Sequence, residues 1–289
     1  KEKGGIAMYS GPATTRLTED DCAENSFHWM FDTYSSAAGA AVALTKAGDK
    51  SWFFVTVDYA FGHSLEKDAS DMVKANGGTV VGSVRHPLNA SDFSSFILQA
   101  QNSKAQVIGL ANGAQDTVNA IKAAREFGIT GAKGQKVAAL LMFLTDVHSL
   151  GLRQAQGLMF SEGFYWDMDD KTRAFSTRFE KLHKGFKPTM VQAGVYSSVL
   201  HYLRSVAAAK TDDWKVVAQK MRELPIDDPV MRNASIRPDG RVIHDMYLFQ
   251  VKTPAESKGA WDYYKTVSTI PAKAAFKPLA DSTCPLVKK

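Results

Sequence analysis

The apolar positions of this chain recur with two alternating periods. Over residues 37–46 small apolar residues form a helical stripe that stops at Gly48, and the next run, Ser51-Trp52-Phe53-Phe54-Val55-Thr56-Val57, is apolar on both faces. A half-exposed strand would alternate, so this run predicts a strand in the middle of a parallel sheet. Leu65, Ala69, Met72 and Val73 return to helical spacing, and Asn76-Gly77-Gly78 ends that helix in the manner of a left-handed cap. A strand over 79–84, a helix capped by Asp92 and running to residue 101, a strand over 106–110 and a helix over 116–127 closed by Gly128 follow. This order implies right-handed crossovers and a parallel sheet with helices on both faces.

The second half repeats the theme less regularly. Strands are expected over 137–143 and 158–161, and helices near 148–154 and over 170–184, 191–210 and 214–224. After Pro225 the signals change to Pro, Asp and Gly, and a strand over 242–251 arrives from a turn at Pro238-Asp239-Gly240. The segment from Pro271 reads as loop. Residues 1–34 hold a single expected strand, 6–9, and are expected to join a sheet whose other strands lie elsewhere. The longest apolar run, residues 137–144, is far short of the ~20 residues needed to cross a bilayer and reads as a buried strand.

Composition narrows the classes. At 289 residues the chain suits two lobes or one large domain. The 35 basic and 30 acidic residues are spread without a run that would suggest nucleic-acid binding. Residues 1–5 are charged or Gly and lead into the first strand without the apolar stretch of a signal peptide. Cys22 and Cys284 lie near opposite ends, which excludes a metal site of close Cys spacing and leaves two readings, a disulfide or two free thiols. Pairing would restrict the unfolded chain by about 4–5 kcal/mol and would need an oxidising compartment.

Enzymatic constellations are missing. No Gly-rich phosphate loop with a following Lys and no G-x-S-x-G elbow is present, and His28, His63, His86, His148, His183, His201 and His244 are scattered without ligand spacing. Each histidine reads most simply as a surface or satisfied core residue. Asp167, Asp169 and Asp170 sit at a helix start, where the dipole favours them, with calcium binding as the alternative. Asn89-Ala90-Ser91 and Asn233-Ala234-Ser235 match the glycosylation pattern, as short patterns do by chance. No cofactor, metal site or catalytic residue is expected.

Open α/β sheets bind ligands in loops at the C-terminal ends of strands. Ser10-Gly11-Pro12-Ala13-Thr14-Thr15 offers hydroxyls and backbone N–H groups without bulk, suited to a carboxylate, with an ordinary turn as the alternative. Asp58-Tyr59-Ala60-Phe61-Gly62 presents two rings against which an apolar ligand body could pack, unless Phe61 only staples its helix. Asn112 and Gly113 permit close approach, or form a plain helix entry. Thr145 and Asp146 follow another strand, where Asp146 either meets a ligand amine or hydroxyl or caps the next helix. Residues 162–166, with Tyr165 and Trp166, offer a stacking wall or a piece of core.

Residues 6–18, Ile-Ala-Met-Tyr-Ser-Gly-Pro-Ala-Thr-Thr-Arg-Leu-Thr, resemble the carboxylate-holding loop of type I periplasmic binding proteins of the leucine/isoleucine/valine-binding class. Tyr59-Ala60-Phe61-Gly62, the strand, loop and helix over 110–125, and residues 152–160 follow the same plan, and Cys284-Pro285-Leu286-Val287-Lys288 is similar to the tail of a subgroup that includes receptors for aromatic acids. The resemblance implies an α/β fold of two doubly wound lobes joined by a hinge. Lobe I would comprise 1–31 and 164–240, lobe II 32–163 and 241–270, and 271–289 would be a tail. The resemblance also implies a further βαβαβ portion of lobe I ahead of the strand over 6–9, which is expected to be missing from this sequence. The implied function is an extracytoplasmic, periplasmic receptor that binds a small carboxylate, a branched-chain amino acid or an aromatic acid, in an interlobe cleft. It would act as a monomer and deliver the ligand to the membrane permease of an ABC transporter. Ser10, Pro12, Ala13 and Thr14 would touch the carboxylate, Phe61 and Tyr165 the ligand body, Asn112 and Gly113 the second lobe, and Asp146 or Thr145 an amino group. The disulfide candidate is Cys22 with Cys284. A ligand-sensing regulator of the same fold is the alternative, and an α/β hydrolase a further one.

Overall fold

The computed structural model describes residues 4–129, 134–231 and 234–287. In chain order the elements are β1 (Ala7–Tyr9), β2 (Ser26–His28), α1 (Thr33–Lys46), β3 (Ser51–Val57), α2 (Ala60–Ala75), β4 (Thr79–His86), α3 (Ser94–Asn102), β5 (Val107–Ala111), α4 (Ala114–Glu126) and β6 (Lys136–Ala139). There follow α5 (Leu144–Leu150), α6 (Leu152–Ala155), β7 (Met159–Glu162), α7 (Asp170–Leu182), α8 (Met190–Ala209), α9 (Trp214–Glu223), β8 (Ser235–Ile236), β9 (Val242–Ile243), β10 (Met246–Val251), β11 (Tyr264–Ile270) and α10 (Ala272–Ala275).

The chain divides into two compact units: unit 1 is Lys1–Asp32, Gly163–Met246 and Pro271–Lys289, and unit 2 is Thr33–Glu162 and Tyr247–Ile270. Unit 2 contains a parallel sheet of order β4-β3-β5-β6. The doubly apolar run of β3 is explained by this order, since β4 and β5 pair on its two edges and it is buried along nearly its whole length. The edge strand β4 instead alternates between exposed and half-buried residues. Gly62 opens α2 hard against β3: a Cβ there would collide with the Val57 carbonyl oxygen, so the helix can start this close to the strand end only with glycine. A second sheet, β11-β10-β7, is antiparallel where β7 meets β10.

Unit 1 holds β1 and β2 as a parallel pair, with Tyr9 opposite His28, and the β8–β9 hairpin. The hairpin closes over the free side of β2, where His28 N–H donates to Gly240 O at 2.9 Å. Gly240 has φ +82, and a Cβ there would strike the Ser26 carbonyl oxygen. The tail is not a loose appendage. Cys284 is disulfide-bonded to Cys22, with 5.8 Å between the Cα atoms, and Glu19 accepts from Thr283 N–H at 2.7 Å and pairs with Lys277 at 3.1 Å.

Several expectations change. The strand expected over 137–143 ends at Ala139, and residues 140–143 stay buried or half-buried while turning into α5, so their apolarity reports burial rather than strand. Residues 1–34 contain two strands instead of one. The strand expected over 242–251 is broken at His244 and Asp245, and β11 adds a strand where none was expected. Unit 1 extends to Met246, past the expected limit of 240, and takes in the tail. Asn233 of the second glycosylation pattern lies outside the described residues.

Candidate functional site

In unit 1 the loop of residues 10–14 leaves β1. Ser10 is 6% exposed, and its Oγ is buried without a hydrogen-bond partner. Gly194 of α8 runs beside it, so that an added Cβ would lie 3.5 Å from the Ser10 Oγ. Pro12 is exposed, but its carbonyl oxygen lies 2.9 Å from Nε2 of the buried His28. Ala13 is buried, and Thr14 Oγ1 accepts from Arg16 N–H at 3.4 Å, capping the short helical turn Thr15–Thr18.

His28 is fully buried, and its pKa falls to about 3, first because burial disfavours the imidazolium and then because Arg241 is near. Arg241 itself is buried. It donates to the His28 and Trp29 carbonyls at 2.7 and 3.2 Å, pairs with Asp32 at 3.0 Å and lies 4.2 Å above the Phe276 ring. Sequence reading placed His28 among scattered histidines, because a contact sixteen residues away leaves no local signal.

In unit 2 the strand-end loops carry the expected aromatic residues. Phe61 is half-buried and Tyr59 44% exposed, their rings 5.8 Å apart. A Cβ on Gly113 would be 3.8 Å from Phe61 Cε1 and only 3.3 Å from Leu141 Cδ2, so the glycine lets the chain pack closely against Leu141 and beside the Phe61 ring. Asn112 is different. It is fully buried, with Nδ2 3.1 Å from His86 Nε2 and Oδ1 accepting from Thr117 Oγ1 at 2.8 Å. His86 Nδ1 lies 2.9 Å from the Pro87 carbonyl oxygen, which can only accept; the proton is therefore on Nδ1 and Nε2 accepts from Asn112. The Asn112 amide is thus used to fasten β4, β5 and α4 together.

Thr145 is exposed, whereas Asp146 is a helix cap: its Oδ2 accepts from Phe143 N–H at 2.8 Å. Burial lifts the Asp146 carboxyl to about 6 against the opposing effect of that N–H. Glu162, not singled out by the sequence, is also buried in unit 2. Its Oε1 is 3.2 Å from the Tyr264 hydroxyl, and desolvation, with Asp146 nearby, pushes its pKa well above the usual carboxylate range. Tyr165, in unit 1, is 5% exposed and stands 5.8 Å from the Trp166 ring, over which Lys187 sits at 4.5 Å. Among the described residues there is no cluster of metal-ligating side chains and no helix long and apolar enough to cross a membrane.

A family model described as periplasmic binding protein matches residues 1–260. A crystal structure of a periplasmic binding protein from Burkholderia mallei is 50% identical, with a TM-score of 0.96, covering 99% of this chain and 76% of that one. A branched chain amino acid ABC transporter periplasmic ligand-binding protein from Burkholderia xenovorans LB400 is 39% identical, with a TM-score of 0.90 and the same coverage, 99% and 76%. An amino acid ABC transporter substrate-binding protein from Pseudomonas fluorescens Pf-5 is 26% identical, with a TM-score of 0.87, covering 98% of this chain and 75% of that one. A comparison with curated proteins finds no match.

Proposed function

The chain belongs to the periplasmic binding protein family, and on that premise we propose that it is a non-catalytic extracytoplasmic receptor that binds a small carboxylate and hands it to an ABC transporter. The observation that carries the ligand class is the buried Ser10 hydroxyl left without a partner, in a loop whose Thr14 adds a second hydroxyl. An unsatisfied buried donor costs about 1–3 kcal/mol, and an anionic oxygen is the partner it suits best. In unit 2, the half-buried Phe61 ring suits a flat or branched apolar body, and the exposed Thr145 hydroxyl is available to a polar substituent. The Cys22–Cys284 disulfide is consistent with an oxidising compartment.

A thermal-shift titration with branched-chain amino acids and aromatic carboxylates tests the reading, because a ligand that binds the folded state raises its melting temperature by mass action. A rise with at least one class is expected. No rise with either at about 10 mM would overturn the carboxylate-receptor reading, since a ligand at 100 times its Kd adds about 2.7 kcal/mol.

A further inference from the structure

We propose that His28 is the positioning residue of the carboxylate loop: by donating from Nε2 to the Pro12 carbonyl it turns the Pro12–Ala13 peptide so that the Ala13 N–H becomes a ligand donor. The inference rests on the carboxylate-receptor reading and adds to it the residue that aims one of the loop's donors.

The geometry is specific about direction. A carbonyl oxygen can only accept, so the 2.9 Å contact requires the His28 proton on Nε2. Among the described residues no peptide bond is cis, and in a planar trans peptide the N–H points opposite to the C=O. With the Pro12 oxygen held against the His28 ring, the Ala13 N–H therefore faces away from that ring. Among the described residues this N–H has no hydrogen-bond partner, although Ala13 is only 7% exposed. Backbone donors in so well covered a residue are nearly always paired, and on this proposal the unspent Ala13 N–H takes its partner from outside the fold. The Ser10 hydroxyl, three residues earlier, is unspent in the same way.

The ring itself is held on several sides. His28 lies opposite Tyr9 in the β1–β2 register, with the two rings edge to face at 6.3 Å. Its N–H is taken by Gly240 and its carbonyl by Arg241. The nearby charges, Arg241 and Asp32, pair with each other, and burial keeps the imidazole neutral. A neutral ring with a fixed tautomer holds the peptide in one orientation across the ordinary pH range.

Two variants and one spectrum test this, with 4-hydroxybenzoate and L-leucine as probes. His28→Gln retains an N–H donor of similar reach and should bind the better probe within about threefold of wild type, whereas His28→Leu should lose about tenfold or more. Equal affinities of the two variants would overturn the proposal. Should His28→Leu fail to fold, the wild-type protein decides by nitrogen-15 NMR: the Nε2–H tautomer should persist from about pH 5 to about pH 8, and the Ala13 amide proton should move downfield as the probe saturates. An Nδ1–H tautomer, or an Ala13 amide that stays in place while the probe saturates, would overturn the positioning role and leave the receptor reading standing. Binding of neither probe, nor of any other tested carboxylate, would overturn the receptor reading and this inference with it.

Discussion

The loop after β1 in unit 1 and the strand-end loops of unit 2 are built from similar residues and use them in opposite ways. In unit 2 the polar groups are spent on the fold: Asn112 joins His86 to Thr117, and Asp146 caps the start of α5. What these loops leave partly exposed is apolar, the rings of Tyr59 and Phe61. In unit 1 the Ser10 hydroxyl is buried without a partner and the Ala13 N–H makes no backbone hydrogen bond among the described residues, while the groups behind them, His28 and Arg241, are tied down. A side chain's type thus says little about whether it binds a ligand. Whether its hydrogen bonds are already used says much more.

The sharpest way to separate the two regions is through the disulfide, which lies wholly in unit 1. Cys22 and Cys284 are 262 positions apart, and opening so long a loop removes about 5 kcal/mol in the chain-entropy account. Differential scanning calorimetry in reductant should show a large fall in the melting temperature of unit 1. An unchanged melting profile would mean that Glu19, Lys277 and Thr283 hold the tail without the bond.

Next in size is the cost that unit 2 bears for its buried cap. The Asp146 carboxyl is raised from 3.8 to about 6 when folded, so as pH rises the unfolded chain loses this proton first. Stability from this group is therefore greatest below the unfolded value and declines until pH passes about 6, by roughly 3 kcal/mol in all. Asp146→Asn keeps an oxygen for the Phe143 N–H but cannot titrate. Chemical denaturation across that window should show the variant gaining on wild type as pH rises; parallel curves would show that Asp146 is not desolvated as the fold implies.

Asn112→Ala should cost about 2 kcal/mol, because Thr117 and His86 both lose a buried partner. Probe affinity should stay within about threefold of wild type, and a loss of about tenfold or more would return Asn112 to the ligand and erase the contrast between the units.

These cases also show which features a sequence carries. The both-faces apolarity of β3 and the stripe of α2 are local periodicities, so they could be read directly. β2 is only Ser-Phe-His and exists because β1 and the residue 240–241 turn pair with it from two sides; no three-residue pattern reveals that. β11 is an exposed edge whose Lys265, Ser268 and Thr269 blur any alternation. The hydroxyl-rich loop of residues 10–14 could be picked out as a candidate because its composition and its position after a strand coincide, and the structure does place it directly after β1. His28 with Pro12, and Glu162 with Tyr264 102 residues away, depend on tertiary pairing and could not be picked out.

A stability change of the opposite sign belongs to the residue expected to matter most for binding. Ser10→Ala removes a buried hydroxyl that makes no hydrogen bond in the fold, so the ligand-free variant should be no less stable than wild type and should gain up to about 1–3 kcal/mol as the unpaired group is relieved. If that hydroxyl is reserved for a carboxylate oxygen, calorimetric affinity for the better carboxylate probe should fall by about tenfold, near 1.4 kcal/mol, as expected for a hydrogen bond to a charged group. Asn112→Ala should do the reverse, lowering stability with little effect on affinity. A Ser10→Ala protein that is destabilised by about 2 kcal/mol but binds normally would show that Ser10 is satisfied inside unit 1 after all. The two regions would then differ in sequence only, and the ligand donors would have to be sought elsewhere.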